Sequence, residues 1–229
     1  MNSNVSVASR YTTLAADLSH EVEIKRSRFI TYLYRVSSET DARGLIAALR
    51  KQHFDARHHC SAFVLGADRM TQRSSDDGEP AGTAGIPMLE ALTKRETTHG
   101  TDLSDVLAVC VRYFGGIKLG AGGLVRAYSD SVSKALDAAT LVTRQRMLRL
   151  AVPAAHSQAA RYENDLRAAG YQLGATDWQV EGALLQVAIA DEPGAEDEFQ
   201  RQLATLSSGA LHGQLQGHDW VDVPQGGGR

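Results

Sequence analysis

Cysteine is scarce in this 229-residue chain: only Cys60 and Cys110 occur. Both sit in apolar, strand-like runs, so they read as buried free thiols in a reducing cytoplasm rather than as a disulfide framework. A catalytic thiol at Cys60, next to His58 and His59, is the alternative. Long hydrophobic runs are missing as well. None approaches the roughly 20 residues that span a bilayer, so no membrane partner is expected. The N-terminus shows no basic segment followed by an apolar core, so no secretory signal is expected either. Aromatic residues make up 6% and the formal net charge is −3, far from a strongly basic footprint, so overall charge does not by itself establish nucleic-acid binding. The hydrophobic and charged contents, 43% and 22%, are those of a globular chain long enough for one large domain or two small ones.

The charge is unevenly spread. Residues 1–146 hold 19 Lys and Arg against 16 Asp and Glu (+3), and residues 147–229 hold 5 against 11 (−6). This asymmetry points to two units with different partners.

The chemistry-bearing stretch runs from Val111 to Ser129. An apolar run, Val106 to Val111, reads as a buried strand. It breaks into a glycine-rich turn holding Gly115, Gly116, Gly120, Gly122 and Gly123, five glycines in nine residues. It resumes as a helix with Leu124, Val125, Tyr128, Val132, Ala135 and Leu136 at helical spacing. The glycines therefore fall where a strand hands over to a helix N-terminus, whose unpaired amides suit an anion. Arg112, Lys118 and Arg126 add formal charge beside them. The loop is neither a Walker A loop nor a dinucleotide fingerprint, because no Gly-Lys-Ser/Thr appears and the third glycine of G-x-G-x-x-G is missing. Glycine also permits tight turns and close helix–strand packing, and that is the competing reading.

Elsewhere the patterns are those of an α+β chain. Residues 1–17 show no periodicity and read as a mobile tail. His20–Lys25 and Phe29–Val36 read as strands joined by the basic link Lys25-Arg26-Ser27-Arg28. Glu39–Phe54 reads as a helix capped by Ser38 or Thr40. His59–Ala67 reads as a strand, Arg69–Gly82 as a surface loop, and Thr83–Lys94 as a helix with Pro87 in its first turn. From about residue 146 the order is strand (Arg146–Val152), helix (Ser157–Ala169), strand (Tyr171–Gln179), strand (Ala183–Ala190), helix (Ala195–Leu206), strand (Leu211–Val221). This βαββαβ order is that of the ferredoxin-like split motif. Residues 224–229 read as a frayed tail.

Other candidate sites are weaker. Asp76, Asp77 and Glu79 place three carboxylates in one loop; a metal or acid/base site would use such groups, but the spacing is not that of an EF-hand, and loop capping is the plainer role. His58 and His59 point to opposite faces of a strand and do not share a metal easily, so a role in anion binding or packing is the better reading. No serine sits in a nucleophile elbow. No metal, cofactor or catalytic residue is assigned.

Three segments together resemble the IMPACT/YigZ family: Lys25-Arg26-Ser27-Arg28-Phe29-Ile30, Asp76 to Leu89, and Val111 to Tyr128. The resemblance covers about residues 18–223. It implies a ribosomal protein S5 domain 2-like domain over 18–140 and a C-terminal ferredoxin-like domain over 145–223, similar to the last domain of the translocation elongation factor. Eukaryotic relatives regulate translation under amino-acid starvation through a protein partner; that mechanism is not carried over. For bacterial members the resemblance implies a nucleic-acid or ribosome-related role. The expected function is a non-enzymatic, translation-associated cytoplasmic protein that contacts RNA or the ribosome. Arg112, Lys118, Arg126 and the glycine-loop amides would form the contact, extended by Lys25, Arg26 and Arg28, with the acidic C-terminal domain recognising protein. The alternative is an enzyme or small-ligand protein that holds a phosphorylated molecule at the same loop, with Asp76, Asp77 or Glu79 as metal ligand or base.

Overall fold

The computed structural model describes residues 8–224. Two compact units share the chain, one running to Thr143 and one spanning Arg144–Val223. The architecture is mixed α+β, with eleven strands and five helices among the described residues.

The first unit is built on strands β1 (Arg10–Leu14), β2 (Leu18–Ile24), β3 (Ser27–Arg35), β4 (His58–Leu65), β5 (Thr71–Ser75) and β6 (Val106–Tyr113), with helices α1 (Glu39–Gln52), α2 (Gly85–Thr93) and α3 (Ala121–Ala138). Five of these strands form an antiparallel sheet in the order β2-β3-β6-β4-β5. Its central strands are buried on both faces because helices cover both. Val106, Ala108 and Cys110 of β6 join Met88, Leu92, Leu124, Tyr128, Val132 and Leu136 of α2 and α3 in one core. The alternate residues Leu107, Val109 and Val111 join Ala42 and Leu49 of α1 in another. The period-2 alternation of a strand thus feeds two cores, which is why β6 reads as an unbroken apolar run. Ser38 caps α1: its Oγ accepts from the Asp41 N–H at 3.1 Å.

Cys60 and Cys110 face each other across the β4–β6 ladder and are free and buried. Burial pushes the Cys110 thiol up to about 12 and raises Cys60 further still, so both stay protonated at neutral pH. The Cys60 Sγ donates to the Asp76 carbonyl at 3.0 Å. It is a packed core thiol, not a nucleophile.

Two expectations for the first unit need correction. Residues 1–17 are not all tail: β1 buries Tyr11 and Leu14, the latter completely, while residues 1–7 lie outside the described range. Its alternation is masked because Thr12 and Thr13 are themselves buried. The Arg69–Gly82 loop contains a strand, β5, which pairs with β4 from Ser61↔Ser75 to Leu65↔Thr71. It is a polar edge strand, so it carries no apolar signal.

The second unit contains β7 (Leu141–Ala154, entering it at Arg144), α4 (His156–Ala168), β8 (Gln172–Leu173), β9 (Asp177–Gln179), β10 (Gly182–Ala190), α5 (Ala195–Ser207) and β11 (Gln214–Pro224). β10 pairs with β7, β8 and β9, and β11 also pairs with β7. Tyr162, Leu166, Phe199 and Leu203, one stripe from each helix, meet Leu150, Val152, Leu185 and Val187 of the sheet. The single strand expected over Tyr171–Gln179 is two short strands. The break falls at Gly174, whose N–H donates to the Gln186 carbonyl at 2.9 Å. The tail expected over 224–229 lies outside the described residues apart from Pro224.

Candidate anion-binding cleft

The cleft forms where β6 hands the chain to α3. Gly115 makes the handover possible. A Cβ there would lie 2.0 Å from the backbone of Arg26, so only glycine lets the loop press onto the β2–β3 turn. The Ser27 Oγ accepts from the Gly115 N–H at 3.2 Å and fixes the approach. The chain then reaches Gly120, whose φ of +73° starts α3 with no side-chain cap. The first-turn amides of an 18-residue helix are therefore left for an external acceptor.

The floor of the cleft is a buried ion pair. Arg112 Nη1 donates to Glu79 Oε1 at 2.5 Å, and the Tyr128 hydroxyl donates to the same oxygen at 2.8 Å. Only 7% of the Arg112 side chain and 4% of the Glu79 side chain are exposed. Burial pushes the Tyr128 hydroxyl far up, so it remains a donor. The guanidinium also lies against the rings of Phe29 and Phe114, at 5.3 and 5.7 Å from their centroids. Among the described residues its Nε has no hydrogen-bond partner.

Around this floor is a recess of about 360 Å³. Arg57, His58 and Lys118 supply its polar wall, Gly120 and Ala121 bring the helix start, and Pro80, Phe114, Leu119 and Leu124 supply an apolar wall. Neither Arg57 nor Lys118 has an ion-pair partner among the described residues. The His58 Nδ1 lies 2.9 Å from the Asp77 carbonyl. A carbonyl only accepts, so Nδ1 carries the proton and donates, and Nε2 faces Glu79 Oε1 at 3.9 Å.

The acidic loop is held from within. The Asp76 carboxylate accepts from the backbone N–H groups of Gly82, Ala84 and Gly85 at 2.8, 3.0 and 2.8 Å, at the start of α2. Burial alone would raise its pKa, but these three donors outweigh it and hold the carboxyl below the usual range. Asp77, at φ +42°, accepts from Arg50 Nη2 through Oδ1 and from the His59 N–H through Oδ2, both at 2.6 Å. Burial lowers the pKa of His59, which Asp77 opposes only in part, so that ring is neutral at pH 7. All three carboxylates therefore already have partners that orient them. Among the described residues no three His, Cys, Asp or Glu side chains cluster as a metal site would need.

A test of the Asp76 anchor follows. Asp76→Asn leaves one oxygen for three donors and turns an NH2 toward one of them. The expected loss is about 2 kcal/mol at pH 7. Because the folded carboxyl titrates below its unfolded value, this stability is present above the ordinary aspartate range and disappears as pH falls through the lowered value. Urea titrations at pH 7 and at pH 3 should show the gap between the two proteins narrowing on the acid side; an equal gap at both would rule out the charge as its source.

The structure divides the residues singled out in the sequence. Arg112, Lys118 and Gly120 line the recess. Gly115 packs beneath it against the Lys25-Arg26 turn, where both residues have positive φ. Gly116, Gly122 and Gly123 lie in the loop and the first turn of α3, and Arg126 is exposed further along that helix. Arg28 is engaged elsewhere, paired with Glu21 at 2.8 Å and stacked over Tyr113 at 5.4 Å. Arg57 carries no signal in the sequence, whereas the His58–His59 pair suits anion binding or packing better than a metal, and His58 does line the recess. Arg57 and His58 reach the recess because β4 pairs with β6 in a register that sets His58 opposite Arg112. No local pattern carries that register.

Comparison with known proteins is consistent along most of the chain. Residues 25–136 match the Impact N-terminal domain family model. The chain is 40% identical over 205 residues to IMPACT family member YvyE of Bacillus subtilis, covering 90% of this chain and 92% of that one. It is also 40% identical over 200 residues to IMPACT family member YigZ of Escherichia coli, covering 86% and 93%. A crystal structure of a hypothetical protein superposes with a TM-score of 0.57 at 37% identity, over 90% of this chain and 96% of the other. Two relatives matched over nearly their whole length, together with the domain model on the unit that carries the recess, place this chain in the IMPACT family.

Proposed function

We propose that this protein is a non-enzymatic, translation-associated factor that binds RNA phosphate at the recess between β6 and α3. The observation that carries this reading is the convergence of three unspent positive groups on one spot: the uncapped start of α3, Lys118 and Arg57. Arg112 supports them from below, with Glu79 holding its geometry. The carboxylates that an enzymatic reading would use as base or metal ligands are engaged by Arg112, Tyr128, Arg50 and backbone donors. The finer fold reading belongs with this proposal. The pairing of β7 with β10 and β11 and of β10 with β8, with two helices, supports a ferredoxin-like second unit, and the two-faced five-stranded sheet supports an S5 domain 2-like first unit. Both fold types recur in translation proteins. A cytoplasmic, ribosome-associated location fits this reading; no helix among the described residues is long and apolar enough to cross a membrane. The acidic second unit would meet a protein partner.

Fluorescence anisotropy of labelled single-stranded RNA across a salt series tests the proposal. Log affinity should fall against log salt with a slope of about −0.7 per phosphate neutralised. Lys118→Glu and Arg57→Glu, both at exposed positions, should remove most binding with no change in thermal stability. Arg126→Glu, outside the recess, should weaken it less. A salt-independent signal, or one untouched by the recess variants, would sink the reading.

A further inference from the structure

We infer that the recess reads a terminal phosphomonoester, the phosphorylated end of an RNA strand, in preference to an internal phosphodiester. The inference rests on the RNA reading above and refines it by three features of the site. The first is shape. The recess has a floor, made by the nearly inaccessible Arg112–Glu79 pair, and a volume of about 360 Å³. That is near the lower end of the roughly 300–1,000 Å³ typical of small-ligand sites. An internal phosphodiester seated on this buried floor must send the chain back out in two directions over the open side, whereas a terminal group needs only one exit.

The second feature is charge. Arg57, Lys118 and Arg112 against Glu79 leave two formal positive charges on the lining, and the helix start adds about half a charge more. A phosphodiester carries one negative charge and neutralises less than half of this. A phosphomonoester carries about −1.5 to −2 at neutral pH and has three terminal oxygens for the available donors. Arg112 shows the same mismatch from within. It lies 6% exposed on the floor, Glu79 occupies Nη1, and Nε has no partner among the described residues. A guanidinium presents a fork suited to a multi-oxygen anion.

The third feature is the opposite wall. Pro80, Phe114 and Leu119 give an apolar surface beside the positive one. Phe114 is 46% exposed, although its ring also contacts Arg112. A ribose and base following a terminal phosphate would lie against this wall, since stacking on an exposed aromatic ring needs no particular base.

The experiment uses the full-length protein and one RNA oligonucleotide in four forms: 5′-phosphate, 3′-phosphate, both ends hydroxyl, and 5′-phosphate capped as a methyl ester. Competition by adenosine monophosphate and by adenosine distinguishes a free mononucleotide from a strand end. The expected result is about tenfold tighter binding of one monophosphorylated form than of the hydroxyl form. Methylation should abolish the preference, and adenosine monophosphate but not adenosine should compete. Lys118→Gln and Arg57→Gln should each reduce the preference without lowering the melting temperature. Equal, salt-sensitive affinity for all four forms would overturn end recognition while leaving the RNA-phosphate reading standing. Binding of adenosine monophosphate with no RNA binding in any form would overturn both, and assign the recess to a small ligand. Absence of binding by every probe would likewise overturn both.

Discussion

Glu79→Gln is expected to destabilise the first unit by about 3–5 kcal/mol, the range for breaking a buried ion pair from one side. The substitution changes almost no volume, so the loss reports charge rather than packing. Glu79 Oε1 is the shared acceptor for Arg112 and Tyr128. A neutral amide leaves the guanidinium buried without a counter-ion, and the neighbouring Phe29 and Phe114 rings recover only part of its lost solvation. Tyr128→Phe should cost less, about 1 kcal/mol, because Glu79 keeps its ionic partner. The double variant Glu79→Leu/Arg112→Leu should recover much of the loss, since two apolar side chains owe no desolvation. Both tryptophans, Trp178 and Trp220, lie in the second unit, so their fluorescence reports that unit alone. Urea unfolding should therefore be followed by far-ultraviolet circular dichroism, where the first unit contributes most of the signal. A loss below about 1 kcal/mol for Glu79→Gln would mean that the pair is solvated and does not form a dry floor.

Gly115→Ala is the second large effect, about 3 kcal/mol or more. The added methyl would sit 2.0 Å from both the carbonyl carbon and oxygen of Arg26 and 2.5 Å from the Ser27 nitrogen. These are backbone atoms in a hairpin turn and cannot rotate away, so the loop must lift by more than an ångström. Lifting it breaks the Gly115–Ser27 hydrogen bond and moves Phe114, which lines the recess. Gly116→Ala provides the contrast. Gly116 has φ of +87° with open space around it, so alanine suffers only backbone strain, about 1–2 kcal/mol. Thermal unfolding of the two variants in parallel should separate contact from conformation. Equal losses would show that the close approach is not the constraint, and RNA binding should fall with Gly115→Ala more than with Gly116→Ala.

Helix faces and the central strand were legible in the sequence because periodicity is local. Leu124, Tyr128, Val132, Ala135 and Leu136 repeat at helical spacing, and all are buried on one side of α3. Tyr162 with Leu166, and Phe199 with Leu203, mark the buried faces of α4 and α5 in the same way. The glycine-rich passage from strand to helix was legible too, since glycines just ahead of an amphipathic pattern mark an uncapped helix start. β1 and β5 were not, because one buries threonines and the other is a polar edge strand.

The site itself was divided between the two levels. The sequence alone determined the loop, its Lys118 and the acidic run at Asp76 to Glu79. Only tertiary structure decided what those charges do. Glu79 meets Arg112 33 residues away and Tyr128 49 residues away. Strand register brings His58 opposite Arg112 and Arg57 to the mouth of the recess. Arg28, in the same basic segment as Lys25 and Arg26, is drawn off to Glu21 across the β2–β3 ladder. Whether a charge is a buried strut, a surface pair or a free ligand-binding group depends on partners distant in sequence and on how far water is excluded around it. Neither is encoded in local spacing.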